Sequence, residues 1–321
     1  MMLVCSVLIA WELLLTAPTL GGKSYLDNES LWVETRSRVL ANDNREFVLV
    51  GASRIQLGIN TDVFAKVTGR RPVQLAINGN YPMPVLKHLA NSEDFTGIAI
   101  VSMTAFWVDP NPRAPTAEQW IAAYEGQHSV KRQPYYTDLE QQLLSIWRTR
   151  VLAGARQVSI THFYESIFLG RRLPARYIRV KQDRSVLVDY RGRKLVKMGG
   201  QARLFNTGLA KGNNPIDSFL SNIDQVEQLV GKIQSRGGKV IFVRMPSSGN
   251  AWKGEQLQYP KEYYWDLFAE RTQAMCIHFK DYPELDSYTL PDGSHLDYRD
   301  AANFTKSLAT IIIDMLKGMA E

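Results

Sequence analysis

The sequence is poor in the residues that build disulfide frameworks and metal sites. Its 321 residues include two cysteines and five histidines. Cys5 lies in an apolar N-terminal stretch and Cys276 opens a predicted buried strand, so we expect the two not to pair. None of the histidines has a partner at the spacing of a metal site, and we therefore expect no bound metal.

Strong charge and glycine-rich phosphate loops are also missing. The net charge of +6 is moderate. It gives little support to a nucleic-acid partner and suits anionic lipid or an acidic polysaccharide equally well. Neither Gly-x-Gly-x-x-Gly nor Gly-x-x-x-x-Gly-Lys occurs, which disfavours a nucleotide-binding protein. We accordingly predict no nucleic-acid partner and no cofactor.

Long hydrophobic runs are absent from the sequence except at the N-terminus. In residues 1–20 the single charged side chain is Glu12, and about 20 apolar residues suffice to cross a bilayer as a helix. A cleaved signal peptide is the alternative, because Thr16-Ala17-Pro18-Thr19 is similar to a weak cleavage region. We interpret residues 1–22 as a transmembrane anchor or signal segment, favouring the uncleaved anchor, and residues 23–321 as the folded domain.

The rest of the chain alternates short apolar runs with amphipathic segments. The apolar runs predict strands at residues 46–50, 72–77, 97–104, 239–245 and 276–279. The other segments predict helices at residues 29–40, 83–91, 215–236, 263–275 and 297–315. Such alternation is typical of a flavodoxin-like, three-layer α/β fold with about five parallel strands.

Residues 110–214 interrupt this alternation, and we interpret them as an inserted cap region of the same domain. They open with a proline-rich stretch and include predicted helical segments at 116–124 and 137–152. Alternating residues at 177–190 predict a β-hairpin that turns near 182–184.

Two motifs at opposite ends of the domain carry the candidate chemistry. Gly51-Ala52-Ser53-Arg54 follows the first predicted strand, and Asp292-Gly293-Ser294-His295 precedes the last predicted helix. A serine hydroxyl needs a base to become a nucleophile. We predict that Ser53 is that nucleophile, that His295 removes its proton, and that Asp292 orients the imidazole. Taken singly, each motif also fits a capping turn or a structural histidine.

Two further residues are candidates for substrate binding. The guanidinium of Arg54 suits an acidic sugar or an anionic acyl carrier, and a salt bridge to a loop carboxylate is the alternative. Ser247 follows the fourth predicted strand, where it either lines the cleft or forms a turn.

The order of the motifs resembles that of the SGNH, or GDSL-type, hydrolase superfamily. In that family the serine follows the first strand, and the Asp and His lie three residues apart near the C-terminus, as Ser53, Asp292 and His295 do. The resemblance implies an oxyanion glycine after the second strand, which Gly79 matches. The family's third block carries an Asn, whereas residues 102–107 contain none. The candidates to replace it are Asn78, Asn80 and Thr104.

The apolar N-terminus, the Gly-x-Ser-Arg form of the serine block and the late Asp-Gly-Ser-His-Leu stretch are similar to a narrower group. These are the membrane-anchored SGNH-like proteins of bacterial polysaccharide modification, of the alginate O-acetylation and D-alanyl transfer types. The resemblance implies a single-pass protein of the bacterial inner membrane with its domain in the periplasm or extracytoplasmic space. It further implies a serine acyltransferase or esterase that acts on O-acyl groups, O-acetyl above all, of an exopolysaccharide or cell-wall glycan. Such proteins work beside a membrane-bound O-acyltransferase. The alternative is a catalytically inactive accessory subunit that binds glycan or scaffolds the complex.

Overall fold

A computed structural model of the chain describes residues 24–39, 43–104, 114–129, 178–191 and 215–318, together with Leu139 and Leu143. The predicted anchor at residues 1–22 and most of the predicted helical segment at 137–152 lie outside the described residues. Across the described ranges, no helix combines the length and the apolar character that crossing a membrane requires.

A parallel sheet of five strands forms the centre of the domain. In chain order the strands are β1 (Phe47–Val50), β2 (Val73–Gln74), β3 (Ile98–Ser102), the hairpin strands β4 (Ile178–Val180) and β5 (Val186–Val188), then β6 (Lys239–Arg244) and β7 (Met275–His278). The order in the sheet is β2-β1-β3-β6-β7, with every pair parallel. The chain therefore adds β2 on one side of β1 and the later strands on the other, which makes the space between β1 and β3 the switch point of the sheet. Doubly wound folds bind ligands at the carboxyl ends of the strands beside such a point.

Helices cover both faces of this sheet. They are α1 (Glu29–Ser37), α2 (Ser53–Gly58), α3 (Thr61–Thr68), α4 (Met83–Asn91), α5 (Pro115–Ser129), α6 (Pro215–Gln234), α7 (Gly249–Gln258), α8 (Lys261–Arg271), α9 (Pro283–Asp286) and α10 (Tyr298–Gly318). Because side chains alternate along a strand, Val48 and Val50 pack in a core with α1, α4, α6 and α8, whereas Leu49 packs with α2, α3 and α10. The predicted three-layer α/β architecture is confirmed.

Most element positions agree with the predictions, and the differences have local causes. The predicted strand at 72–77 is reduced to two residues, although the N–H groups of Leu75 and Ile77 still donate to the carbonyls of Leu49 and Gly51 at 2.8 and 3.0 Å. Helix α7 was not predicted because none of its residues is buried, so it has no apolar stripe.

Helix α3 was also missed, although it carries recognisable end signals. The side chain of Asn60 accepts hydrogen bonds from the N–H groups of Asp62 and Val63, which caps the first turn. Gly69 ends the helix with a φ of +75°, in the left-handed region that glycine adopts readily.

The predicted hairpin is present and is docked on the domain. Strands β4 and β5 are antiparallel, and their turn holds Arg184, whose side chain is fully buried. The Arg184 guanidinium donates to the carbonyls of Gln74 and Ala76 at 2.8 and 2.9 Å and pairs with Asp27 at 2.7 Å. Because all three partners belong to other segments, the hairpin is held against the edge of the sheet and against the N-terminal segment.

Candidate active site

Ser53 lies where β1 turns into α2, at the carboxyl edge of the sheet. The turn depends on Gly51, whose φ is +153° and where an added Cβ would lie 2.8 Å from the Ile55 side chain and 3.0 Å from Cβ of Ser102. A larger residue would push α2 away from β3. Ser53 is the first residue of α2, where backbone N–H groups lack intrahelical acceptors and the helix dipole favours negative charge.

The loop before α10 brings the other two predicted residues to this serine. Nε2 of His295 lies 2.7 Å from Oγ of Ser53, and Nδ1 of His295 lies 2.8 Å from Oδ2 of Asp292. Gly293 in this loop has a φ of +82°, which a side chain would disfavour. The side chains of Asp292 and His295 are 15% and 17% exposed, so the three groups form a continuous line that solvent still reaches.

Asp292 is held as a carboxylate. Its Oδ1 accepts hydrogen bonds from the backbone N–H groups of Ser294 and His295, at 2.9 and 2.8 Å. Burial opposes its ionisation, but the hydrogen bond and charge of His295 and these two N–H groups outweigh burial and lower the pKa of Asp292 to about 2. An ionised carboxylate accepts the Nδ1–H of the imidazole, which leaves Nε2 free to take a proton from Ser53.

Arg54 takes part in a buried ion network beside the nucleophile. It donates to Oγ of Ser294 at 3.2 Å and pairs with Glu255 at 2.6 Å. Glu255 also pairs with Arg244 and accepts from the hydroxyl of Ser247 at 2.8 Å. This is the salt bridge that stood as the alternative to substrate binding by Arg54. The hydroxyl of Ser247 also accepts a hydrogen bond from Arg244 at 3.0 Å. Ser247 therefore acts as both donor and acceptor within the network.

The three charges of this network do not cancel, because Glu255 is the one carboxylate that Arg54 and Arg244 share. Burial lowers the pKa of Arg244 to about 10, which leaves it cationic at neutral pH. Burial is also the largest influence on Glu255, but Arg244 and Arg54 outweigh it and lower the pKa of that carboxyl to about 2. Two cations share one anion, so the network presents net positive charge next to Ser53.

The predicted oxyanion candidates lie at the same edge of the sheet. The N–H of Ile77 reaches the carbonyl of Gly51, which places the Asn78-Gly79-Asn80 turn just beyond the level of Ser53. Gly79 has a φ of +72°, and Asn78 is exposed. The side-chain oxygen of Asn80 accepts from the N–H of Ala117 at 3.3 Å and so supports the start of α5.

Thr104 follows β3 at this edge and differs from the other candidates in its bonding. Its side chain is 4% exposed, and among the described residues its hydroxyl has no hydrogen-bond partner. Thr104 lines a pocket with Arg244, Trp252 and Glu255. A buried hydroxyl without a partner is uncommon, and Nη1 of Arg54 has the same property among the described residues. The pocket that Thr104 lines does not include Ser53, Asp292 or His295.

Two residues that were not predicted also contact the site, Tyr190 and Glu255. The hydroxyl of Tyr190 donates to Oδ2 of Asp292 at 3.0 Å. Tyr190 follows β5 in the hairpin, and no local pattern links it to a loop 102 residues away in sequence. Glu255 lies on α7, whose position was not predicted, so its approach to Arg54 had no signal in the sequence.

The arrangement supplies a nucleophile, a base and an orienting carboxylate, which are the parts needed for acyl transfer. Among the residues that the structure describes, no three His, Cys, Asp or Glu side chains are grouped so as to hold a metal ion. No protein-family model, curated protein or solved structure matches the chain, so the chemistry of the site has to be inferred from its own geometry.

Proposed function

We propose that the protein is a serine esterase or O-acyltransferase in which Ser53 forms an acyl-enzyme. The observation that carries the proposal is the continuous line of hydrogen bonds from Oγ of Ser53 through His295 to Asp292, at 2.7 and 2.8 Å. These distances lie within the range at which a base removes the proton of a serine hydroxyl. The order of the motifs, which resembles that of SGNH hydrolases, supports the same reaction.

The reaction has two halves. In the first, Oγ of Ser53 attacks the carbonyl carbon of an O-acyl ester, and Nε2 of His295 takes the hydroxyl proton. The tetrahedral intermediate collapses when the ester C–O bond breaks, and His295 returns the proton to the departing alcohol. In the second, a water or a sugar hydroxyl gives its proton to Nε2 of His295 and attacks the acyl carbon. The bond between that carbon and Oγ of Ser53 then breaks, and His295 returns the proton to Oγ, which restores the free enzyme. Water yields hydrolysis, and a sugar hydroxyl yields transfer.

The backbone N–H of Ser53 is the first candidate to stabilise the oxyanion, because it belongs to the first turn of α2. The N–H groups of the turn at Gly79 and the hydroxyl of Thr104 are candidates for the second donor. Positive charge from Arg54 and Arg244, only partly balanced by Glu255, favours the developing negative charge in the same region.

The substrate and location belong to the same proposal. The net charge of +6 favours an anionic polymer or membrane surface, and the apolar N-terminus favours attachment to a membrane. We propose O-acyl groups of an extracytoplasmic bacterial glycan as the substrate, with a membrane-bound O-acyltransferase as partner.

The test is direct labelling of the nucleophile. The full-length chain is incubated with 4-nitrophenyl acetate, and the peptide that contains Ser53 is analysed by mass spectrometry. We expect one acetyl group on Ser53 in the wild type and none in Ser53→Ala. Ser37→Ala is the matched control, because the Ser37 hydroxyl donates to a carbonyl within α1, and its labelling should equal that of the wild type.

The alternative function predicts a different result in the same experiment. An inactive accessory subunit would not be acetylated on Ser53, and its glycan binding would not change in Ser53→Ala. Absence of the adduct in the correctly folded wild type, or equal labelling of Ser53→Ala at another residue, would overturn the proposed acyl-enzyme.

A further inference from the structure

The β4–β5 hairpin contacts the Asp292–His295 loop at two points that lie on either side of His295. The hydroxyl of Tyr190 reaches Oδ2 of Asp292 at 3.0 Å, and the backbone N–H of Tyr190 donates to Oδ2 of Asp297 at 2.9 Å. Asp297 directly precedes α10 and also accepts from the N–H of Arg299. A single residue of the hairpin therefore holds both ends of the loop that carries the imidazole.

The hydroxyl of Tyr190 completes the coordination of the Asp292 carboxylate. A carboxylate has about four lone-pair sites and no proton to donate when it is ionised. Oδ1 of Asp292 accepts from two backbone N–H groups, and Oδ2 accepts from Nδ1 of His295 and from Tyr190. Tyr190 therefore donates to the same oxygen as the imidazole and shares its negative charge.

We propose that Tyr190 is a positioning residue that sets the basicity of the Asp292–His295 pair through its hydroxyl hydrogen bond to Oδ2. This inference rests on the proposed function, because the basicity of the pair matters for removing the proton of Ser53. The hairpin that supplies Tyr190 is anchored independently of the site, by the buried Arg184 and its bonds to β2 and Asp27. Those contacts hold the hairpin on the domain without using any residue of the site.

The direction of the effect follows from charge. Without the hydroxyl, more of the negative charge of Asp292 is available to stabilise the imidazolium form of His295. The neutral imidazole that acts as base then forms at higher pH. At the acid side of the pH profile, kcat/KM falls because His295 becomes protonated; we call this part of the profile the acid limb. The acid limb should move to higher pH when the hydroxyl of Tyr190 is removed, and to lower pH when that hydroxyl becomes a stronger donor.

Other charged groups around the loop are already paired with one another. From α2 and α7 the site faces Arg54 and Glu255, which pair with each other, and Glu255 also pairs with Arg244 of β6. From the hairpin and α10 it faces Asp189, Arg191, Asp297 and Arg299, which form ion pairs among themselves, together with Tyr298 beside Arg191. None of these pairs involves the hydroxyl of Tyr190, so its removal leaves them in place.

The experiment compares two substitutions at position 190 that keep the ring. In Tyr190→Phe the donor is lost, and in Tyr190→3-fluorotyrosine the more acidic hydroxyl donates a stronger hydrogen bond. For hydrolysis of 4-nitrophenyl acetate, we expect Tyr190→Phe to lower kcat about tenfold with little change in KM. We also expect it to move the acid limb upward by about 0.5–1 pH unit, and the fluorinated residue to move that limb downward.

Asp297→Asn is the control for looser anchoring, because it weakens the second contact of the hairpin and keeps the Tyr190 hydroxyl. It should lower stability or kcat without moving the acid limb in the direction of Tyr190→Phe. The inference would be overturned if Asp297→Asn and Tyr190→Phe moved the acid limb by the same amount. It would also be overturned if both variants at position 190 moved the acid limb in the same direction.

A measurement without turnover separates this inference from the proposed function. The low-field proton NMR signal of the hydrogen-bonded Nδ1–H of His295 can be titrated in the wild type and both variants, whether or not Ser53 is acylated. In each variant, the midpoint pH of this titration should shift in the same direction as the acid limb of kcat/KM. An unchanged titration in folded Tyr190→Phe refutes the role of Tyr190, whereas a missing acetyl adduct refutes the enzyme.

Discussion

Replacing Glu255 by glutamine tests the buried ion network that supports the nucleophile turn. The carboxylate of Glu255 accepts from Arg54 at 2.6 Å and from Ser247 at 2.8 Å, and it pairs with Arg244. Arg244 is 4% exposed, so it has little access to water. Glu255→Gln keeps the size of the side chain and removes the one negative charge that the two guanidinium groups share.

We expect Glu255→Gln to lower the free energy of unfolding by about 3 kcal/mol. Removing one partner of a buried ion pair costs about 3–5 kcal/mol, because the remaining charge is left uncompensated. Independently, Arg244 and Arg54 outweigh the opposing effect of burial and lower the pKa of Glu255 from an ordinary 4.5 to about 2. At about 1.4 kcal/mol per pKa unit, the ionised carboxylate stabilises the fold by about 3 kcal/mol.

The pH dependence of this stabilisation has a definite sign. The pKa of Glu255 is lower in the folded state than in the unfolded state, so the unfolded state binds a proton first as the pH falls. The contribution is complete above about pH 4.5 and is lost as the pH falls through about 2. Glu255→Gln has no carboxyl at this position. Its free energy of unfolding should therefore approach that of the wild type as the pH falls from about 4.5 to about 2.

Urea unfolding followed by circular dichroism measures this difference. At pH 7 we expect Glu255→Gln to be about 3 kcal/mol less stable than the wild type, with a smaller difference near pH 3. Glu34→Gln is the matched control, because its partner Arg38 is 44% exposed, and it should cost less than about 1 kcal/mol. A loss below about 1 kcal/mol at pH 7, or an equal loss at both pH values, would refute the argument.

Three other substitutions test the turn, the triad and the hairpin. In the same urea assay Gly51→Ala should cost about 2–4 kcal/mol, since its Cβ would lie 2.8 Å from a neighbouring side chain. Gly231→Ala is the control, because no atom of the described residues lies within 4 Å of the added Cβ; it should cost nothing or stabilise, and equal losses would contradict the steric reason. Asp292→Asn should slow the nitrophenol burst by about 10³–10⁴-fold in protein that is still folded at the assay temperature, because the amide cannot hold the required tautomer; a burst within tenfold of wild type would count against the triad. Arg184→Met should cost about 3 kcal/mol, because two buried carbonyls and Oδ1 of Asp27 lose the guanidinium as donor. Wild-type stability would show that the hairpin is held in another way.

Local pattern was sufficient to predict the architecture. The run at residues 46–50 predicted β1, and the segment at 83–91 predicted α4 with the bounds that it has in the structure. Each of these signals depends on neighbours within one strand or a few helical turns, so no knowledge of the rest of the chain was needed. The prediction failed at α7, whose residues are all at least partly exposed, so no apolar stripe marks the helix in the sequence.

The amino-acid sequence by itself determined which residues form the hydrogen-bonded line of Ser53, His295 and Asp292. Parallel strands carry their carboxyl ends to one edge of a sheet, so a serine after β1 and a short Asp-x-x-His loop before α10 are brought to the same edge by connectivity alone. This reasoning located Ser53, Asp292 and His295, whose side chains the structure places within hydrogen-bonding distance.

Tertiary structure alone decided what surrounds that line. Arg54 meets Glu255 across 201 residues of sequence, and Tyr190 meets Asp292 across 102. Both contacts depend on where an element outside the strand–helix alternation docks, α7 in one case and the hairpin in the other. Docking of such elements is set by buried side chains from several distant segments, as at Arg184. No local pattern records it, and for that reason the support of the triad emerged from the structure.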